Sequence, residues 1–228
     1  MGMKAVIFDL DGVVVSTDEY HYRAWKQMAD DEGIPFDRMV NQRLRGVSRM
    51  ESLNIVLEKA ERPYSDPEKA ALAERKNKYY RSLLGNLTPG DILPGVMEVL
   101  ESLKSRGIKV AVGSSSKNTP YILEKIDLST YFDAVADGNG ITKSKPDPEV
   151  FLLAAKLLGS PPSDCAVVED AYAGIEAAKA GGMKAVGVGY ARRDPACDYA
   201  CADLAHLSVD ELLKGKKPGS DLDEKASC

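Results

Sequence analysis

Ala5-Val6-Ile7-Phe8-Asp9-Leu10-Asp11-Gly12 joins four consecutive apolar residues to two aspartates and a glycine. An apolar run without alternation is what a strand covered on both faces of a parallel sheet requires, and the acids stand where that run stops. Ligands of open α/β sheets gather at the carboxyl ends of strands, so the location of Asp9 and Asp11 counts as much as their chemistry. Side chains at i and i+2 of an extended segment point to the same side. Two carboxylates that close repel each other, and one pKa rises unless a cation or hydrogen bonds intervene. The arrangement suits a nucleophile or metal ligand beside a proton carrier. Asp-Gly is also a common turn pair, and an ordinary polar turn satisfies the same letters.

Working outward, short apolar runs recur at Val110-Ala111-Val112, Ala134-Val135, Ala166-Val167-Val168 and Ala185-Val186-Gly187-Val188. Helical spacing separates them: Val96, Val99, Leu100 and Leu103 before Gly107, Phe151, Ala154, Ala155 and Leu158 before Gly159, and Ile175, Ala178 and Lys179 before Gly181-Gly182. Strands alternating with amphipathic helices predict an α/β fold with a parallel sheet. One stretch breaks the alternation. From Thr17 to Thr88 there is no convincing strand, only helical patterns over Asp18 to Glu32, Met50 to Ala60 and Asp66 to Leu84, punctuated by Pro35, Pro63 and Pro89-Gly90. A helical block is therefore expected as an insert directly after the first strand. The predicted division is a core of residues 1–15 and 89–214, a helical insert of 16–88 and a flexible polar tail of 215–228.

The chain has 228 residues, a net charge of −5 and 44% hydrophobic residues. That length buries roughly 70% of the unfolded chain's surface, enough to fold without staples. The acidic balance argues against a general nucleic-acid binder, which needs a basic excess to neutralise phosphates. The insert carries +1 and the remainder −6, so the acidic excess lies in the core, where a cation could sit. No apolar stretch approaches the roughly 20 residues of a membrane span, and the amino terminus lacks the features of a secretion signal. Four scattered cysteines (Cys165, Cys197, Cys201 and Cys228) do not make a disulfide framework. Reduced thiols and a cytoplasmic location are expected. No long apolar face demands a partner, so a monomer is expected as well.

Two further motifs end later strands, and a third stands in a loop before a helix. Glu169-Asp170 follows Ala166-Val167-Val168. With Asp9 and Asp11 these acids supply the hard oxygen ligands that Mg²⁺ prefers, although acids also decorate helix N-termini for the dipole. Ser114-Ser115-Ser116-Lys117-Asn118 follows the second strand and opens a helix near Thr119-Pro120. Small hydroxyl residues and backbone N–H groups at a helix start hold anions, whereas a simple N-cap needs only one serine. Lys145 stands in the rigid loop Lys143-Ser144-Lys145-Pro146-Asp147-Pro148 and draws its weight from the other three motifs.

Asp9-x-Asp11, the serine-led loop at Ser114, Lys145-Pro146 and Glu169-Asp170 resemble, in order, the four motifs of the haloacid dehalogenase superfamily of phosphotransferases. The resemblance covers nearly the whole chain and implies a Rossmann-like core with a small helical cap inserted after the first motif. Within the superfamily the sequence is most similar to the β-phosphoglucomutase family. The similarity lies at Thr17, Glu19-Tyr20-His21, Gly46-Val47-Ser48-Arg49 with Ser52, Arg75-Lys76-Asn77 and Ser116-Lys117-Asn118. Two positions depart from that family: Arg45 precedes Gly46 where it carries lysine, and Ser115 replaces alanine.

The resemblance implies that Asp9 forms an aspartyl-phosphate and Asp11 relays the proton. It implies Mg²⁺ held by Asp9, the backbone carbonyl of Asp11 and Asp170, with Glu169 close by. Ser114, Ser115 and Lys145 are expected around the transferring phosphoryl group. Arg49 with Ser116, Lys117 and Asn118 is expected to clamp a second phosphate of a hexose bisphosphate, with Thr17, His21, Arg45, Gly46, Ser52 and Lys76 completing the sugar site. Thr17 and His21 are expected to hold the proton carrier away until sugar binds. Without the resemblance, His21 is as well read as a helix-surface histidine. Ser16–Asp18 and Thr88–Gly90 are the expected hinges of the cap. A sugar-phosphate phosphatase with the same nucleophile, and a silent sugar-phosphate sensor, are the rival readings. Cys197 and Cys201, four apart, could share a helix face but lack the partners of a zinc site. Trp25, with Tyr22 and Met28, reads as core of the insert rather than a stacking platform.

Overall fold

The computed structural model describes residues 2–44 and 47–214. Arg45, Gly46 and the tail expected as flexible lie outside them. The five strands expected from sequence form: β1 (Ala5–Phe8), β2 (Lys109–Gly113), β3 (Ala134–Ala136), β4 (Cys165–Glu169) and β5 (Lys184–Gly187). A sixth, β6 (Tyr199–Ala200), was not expected; two residues are too few to leave a pattern. All pair in parallel in the order β3-β2-β1-β4-β5-β6. β1 thus lies between β2 and β4, with Phe8 level with both Val112 and Val168. The chain runs outward on one side of β1 and then returns to the other. This reversal puts the carboxyl ends of β1, β2 and β4 side by side, and with them Asp9, Ser114 and Glu169.

The pleat sorts the strand residues into two cores. Val6, Phe8, Val110, Val112, Val168 and Val186 share one with residues of α5 (Val96–Ser105), α6 (Thr119–Lys125) and α9 (Val209–Lys214). Ala5, Ile7, Ala111, Val167 and Ala185 share the other with α7 (Glu149–Leu158) and α8 (Tyr172–Ala180). Coverage of both faces is the physical reason for the unalternating apolar strands.

The insert is helical as expected: α1 (Asp18–Asp31), α2 (Arg38–Gln42), α3 (Arg49–Leu57) and α4 (Asp66–Leu84). The five-residue α2 is too short to show a period, and α3 stops three residues before the expected Ala60. α4 begins where Glu68 reaches back to the backbone N–H of Ser65, at 2.8 Å, and to its hydroxyl, at 2.7 Å. This reciprocal cap stabilises a helix start. Trp25, Met28, Ile34, Phe36, Leu53, Val56 and Leu72 form a third core, while Tyr80 and Leu84, at the far end of α4, pack into the sheet's core. Trp25 is 2% exposed, as expected of a core residue.

One expectation is corrected. Cys197 and Cys201 do not share a helix face, because Tyr199 and Ala200 between them extend along β5 as β6. Cys197 Sγ donates to the carbonyl of Ala191 at 3.3 Å. Burial, with the acids nearby, pushes its thiol up to about 11 and that of Cys201 up to about 12. Among the described residues no helix is long and apolar enough to cross a membrane.

Candidate active site

Asp9 continues the sheet one residue past β1, its N–H donating to the carbonyl of Val168 at 2.9 Å. The chain then turns, with Val14 N–H returning to Leu10 O at 3.0 Å and Gly12 at φ +88°. Gly12 is required twice: by the left-handed backbone, and because a Cβ there would lie 2.3 Å from Asp170 Oδ2. Asp170 is thereby pressed against the Asp9–Gly12 turn.

Lys145 arrives from the loop before α7 and inserts its ammonium between two carboxylates, 2.5 Å from Asp9 Oδ1 and 2.7 Å from Glu169 Oε2. All three side chains are buried, at 6%, 10% and 2% exposure. Burial works to lower the Lys145 pKa, but the charges of Asp9 and Glu169 outweigh it and raise it above the ordinary lysine value. Burial also raises Glu169 above the usual carboxylate range, with Lys145 opposing and Asp9 reinforcing the shift. The other oxygen of Glu169, Oε1, accepts the N–H groups of Asp170 and Ala171, each at 3.1 Å. Both Glu169 oxygens are therefore committed to holding Lys145 and the start of α8.

Asp9, Glu169 and Asp170 each bring a carboxylate oxygen within 4.8 Å of the others, close enough to hold a metal ion. Three hard oxygen donors at strand ends match the coordination chemistry of Mg²⁺. A carboxylate oxygen that accepts one hydrogen bond keeps a second lone pair, so Asp9, Glu169 and Asp170 could each contribute a ligand atom.

Asp11 is gripped by the insert. One carboxylate oxygen accepts the backbone N–H of Thr17 at 2.7 Å and the other the Thr17 hydroxyl at 2.6 Å. Thr17 Oγ1 also lies 2.8 Å from Tyr80 Oη, on α4. His21 Nε2 stands 3.8 Å from Asp11 Oδ2, and His21 Nδ1 lies 2.8 Å from Lys76 Nζ. An ammonium can only donate, so a charged Lys76 makes Nδ1 the acceptor and leaves the imidazole proton on Nε2, facing Asp11. Burial, then the charges of Lys76 and Arg49, holds His21 well below its ordinary pKa. Lys76 is 2% exposed. Its ammonium lies 4.8 Å over the Trp25 ring and 4.6 Å over the Tyr80 ring, and burial first, then Arg49, lowers it well below the usual lysine value.

The loop after β2 is held by its own side chains. Ser114 Oγ accepts the Ser116 N–H and Ser116 Oγ the Asn118 N–H, both at 3.2 Å. Ser115 Oγ is buried without a hydrogen-bond partner among the described residues. A buried hydroxyl left so costs about 1–3 kcal/mol, a cost that a ligand oxygen would offset. Lys117 is exposed. Ser52, on α3, is buried at 4%. Arg49 opens α3, with its guanidinium 4.0 Å from Glu74 and its pKa lowered by burial. Among the described residues no hydrogen bond joins Arg49 to Ser116, Lys117 or Asn118. Asn118 instead meets α4, through Asn77 and Arg81. Arg81 and Tyr80 were not picked out from sequence, although Arg81 stands one helical turn beyond Asn77.

Residues 3–182 match the model of the haloacid dehalogenase-like hydrolases. The chain is 47% identical over 213 residues to the β-phosphoglucomutase of Bacillus subtilis, covering 92% of this chain and 94% of that one. It is 33% identical over 215 residues to the phosphorylated carbohydrates phosphatase of Thermotoga maritima, covering 92% and 97%. A crystal structure of the Clostridium difficile β-phosphoglucomutase superposes with a TM-score of 0.87 at 40% identity, over 93% of this chain and 96% of that one.

Proposed function

The chain belongs to the haloacid dehalogenase-like hydrolase family, and from that premise we propose that it is a β-phosphoglucomutase, interconverting β-glucose 1-phosphate and glucose 6-phosphate. The observation that carries this reading is the reach of the similarity to the Bacillus enzyme. At 92% of the chain it necessarily runs through the helical insert, the part that meets the substrate's far end, as well as the sheet.

Asp9 attacks the phosphorus of a sugar bisphosphate, forming an aspartyl P–O bond as the sugar P–O bond breaks. Lys145 holds Asp9 through Oδ1, which aligns the carboxylate for in-line displacement. Asp11 gives a proton to the departing sugar oxygen and takes one from the hydroxyl that next attacks the aspartyl-phosphate. The bisphosphate thus donates at one end and receives at the other. Ser114, Ser115 and Lys145 hold the transferring phosphoryl oxygens. Mg²⁺ would be held by Asp9, Asp170 and the backbone carbonyl of Asp11; when bound it supplies positive charge against those oxygens.

Residues 16–88 act as a cap over the core. The Thr17 grip on Asp11 supports a proton carrier whose position depends on the cap, with His21 and Lys76 behind it. Arg49, Ser116, Lys117 and Asn118 clamp the second phosphate, a task suited to the planar fork of arginine; Arg45, Gly46 and Ser52 complete the sugar site. The nucleophile is tested by quenching the enzyme during turnover with Mg²⁺ and bisphosphate, reducing with borohydride and mapping the modified residue. Reduction of an aspartyl-phosphate at Asp9, and loss of turnover in Asp9→Asn, are expected. Turnover surviving in Asp9→Asn would contradict the assignment.

A further inference from the structure

Asn118 is 4% exposed, and its side-chain amide is held from both ends by α4. Nδ2 donates to Asn77 Oδ1 at 3.0 Å, and Oδ1 accepts from Arg81 Nη1 at 3.3 Å. A guanidinium carries donors only, so the Asn118 atom facing Arg81 must be its oxygen. Turning the amide by half a rotation would set its NH₂ against the guanidinium and its oxygen against that of Asn77. The Arg81 contact would become a repulsion, and only the Asn77 bond could be restored, by turning that amide as well. Asn118 therefore has one orientation, with one N–H engaged by Asn77 and the second left for an anion. Arg81 is itself braced, its guanidinium carbon 4.8 Å over the ring of Tyr121 on α6. An exposed arginine stacked in this way loses less freedom in holding a partner than one in open solvent.

We infer that Arg81 is a positioning residue for the second phosphate of the sugar bisphosphate. It acts through Asn118, fixing the amide so that an N–H meets a phosphate oxygen. The inference rests on the proposed assignment of Asn118 to that phosphate. It also gives α4 a direct hold on the substrate loop, so the insert and the loop are oriented together.

A double-mutant cycle on the full chain tests it, because a residue acting through another adds nothing once that other is gone. KM for β-glucose 1,6-bisphosphate and kcat are measured with Mg²⁺ and with β-glucose 1-phosphate as the phosphoryl acceptor, for Arg81→Met, Asn118→Ala and the double variant. The rate of Asp9 phosphorylation by acetyl phosphate, which has no second phosphate, is measured alongside. Arg81→Met should raise KM for the bisphosphate about tenfold, equivalent to about 1.4 kcal/mol, with kcat and the acetyl phosphate rate within twofold. The double variant should match Asn118→Ala alone. Additive losses would make Arg81 a direct charge on the phosphate and overturn the inference. So would an unaltered KM in Arg81→Met beside a raised one in Asn118→Ala, which leaves the Asn118 assignment standing. An unaltered KM in Asn118→Ala would remove that assignment, and the inference with it.

Discussion

Replacing Lys145 by methionine leaves the carboxylates of Asp9 and Glu169 buried without the cation that now lies 2.5 Å from one and 2.7 Å from the other. Removing one partner of a buried ion pair costs about 3–5 kcal/mol, because the remaining charge is neither solvated nor paired. For a chain of this size each kcal/mol moves Tm by about 2–4 °C, so a fall of about 6–20 °C is expected. The loss has a definite pH dependence. Burial already raises Glu169, and Lys145 is what opposes that shift. Without the lysine its folded-state pKa rises further above its unfolded value, and the folded protein binds the proton more tightly. Stability of the variant then falls as pH rises from the ordinary carboxylate range through the raised value. Thermal unfolding in EDTA at pH 5.5 and pH 8 should show a deficit against the parent that is larger at pH 8. Lys145→Met/Glu169→Gln should recover part of it by removing one buried charge. A deficit under about 1 kcal/mol at pH 8, or one that does not shrink on acidification, would refute the reasoning about the buried triad.

His21 predicts a different slope: burial and the charges of Lys76 and Arg49 depress its folded-state pKa below 6.5, so its contribution is full above that value and lost as pH falls beneath it. His21→Gln should flatten the fall in stability between pH 7.5 and 5.5, read by denaturant unfolding. Gly12→Ala would set a methyl 2.3 Å from Asp170 Oδ2 at a φ of +88°; the stabilisation by saturating Mg²⁺, about 2.7 kcal/mol at a hundred times Kd, should appear in the parent and vanish in this variant on thermal scans. Arg49→Ala should reduce mutase turnover far more than phosphate release, measured as two products in one assay; equal losses would remove Arg49 from the clamp.

The strands were legible because both faces of the sheet are covered, which leaves apolar runs such as Ala166-Val167-Val168 with no competing reading. β6 and α2, at two and five residues, are too short to repeat a period and were invisible. The meeting of Asp9 and Glu169 was legible for a related reason, whereas Lys145, in the loop before α7, joined them only through the company of the other motifs. Acids directly after buried strands β1 and β4 have no packing role, and neighbouring parallel strands bring their carboxyl ends together. What each side chain does there was not legible. That Glu169 spends both oxygens on Lys145 and the N–H groups of Asp170 and Ala171, or that Arg81 holds Asn118, depends on how α8 and α4 dock. Docking angle leaves no letter pattern. The Cys197 and Cys201 spacing misled for the converse reason: four residues suit a helix face, but pairing with β5 extended the chain between them.

The most direct test of the mutase reading follows β-glucose 1-phosphate with Mg²⁺ and a trace of β-glucose 1,6-bisphosphate, recording glucose 6-phosphate and free phosphate together. Rapid formation of glucose 6-phosphate with little free phosphate is the result expected of an Asp9 phosphoryl group passed to a sugar hydroxyl. Free phosphate as the main product would contradict it, making water the acceptor and the enzyme a phosphatase built on the same aspartate.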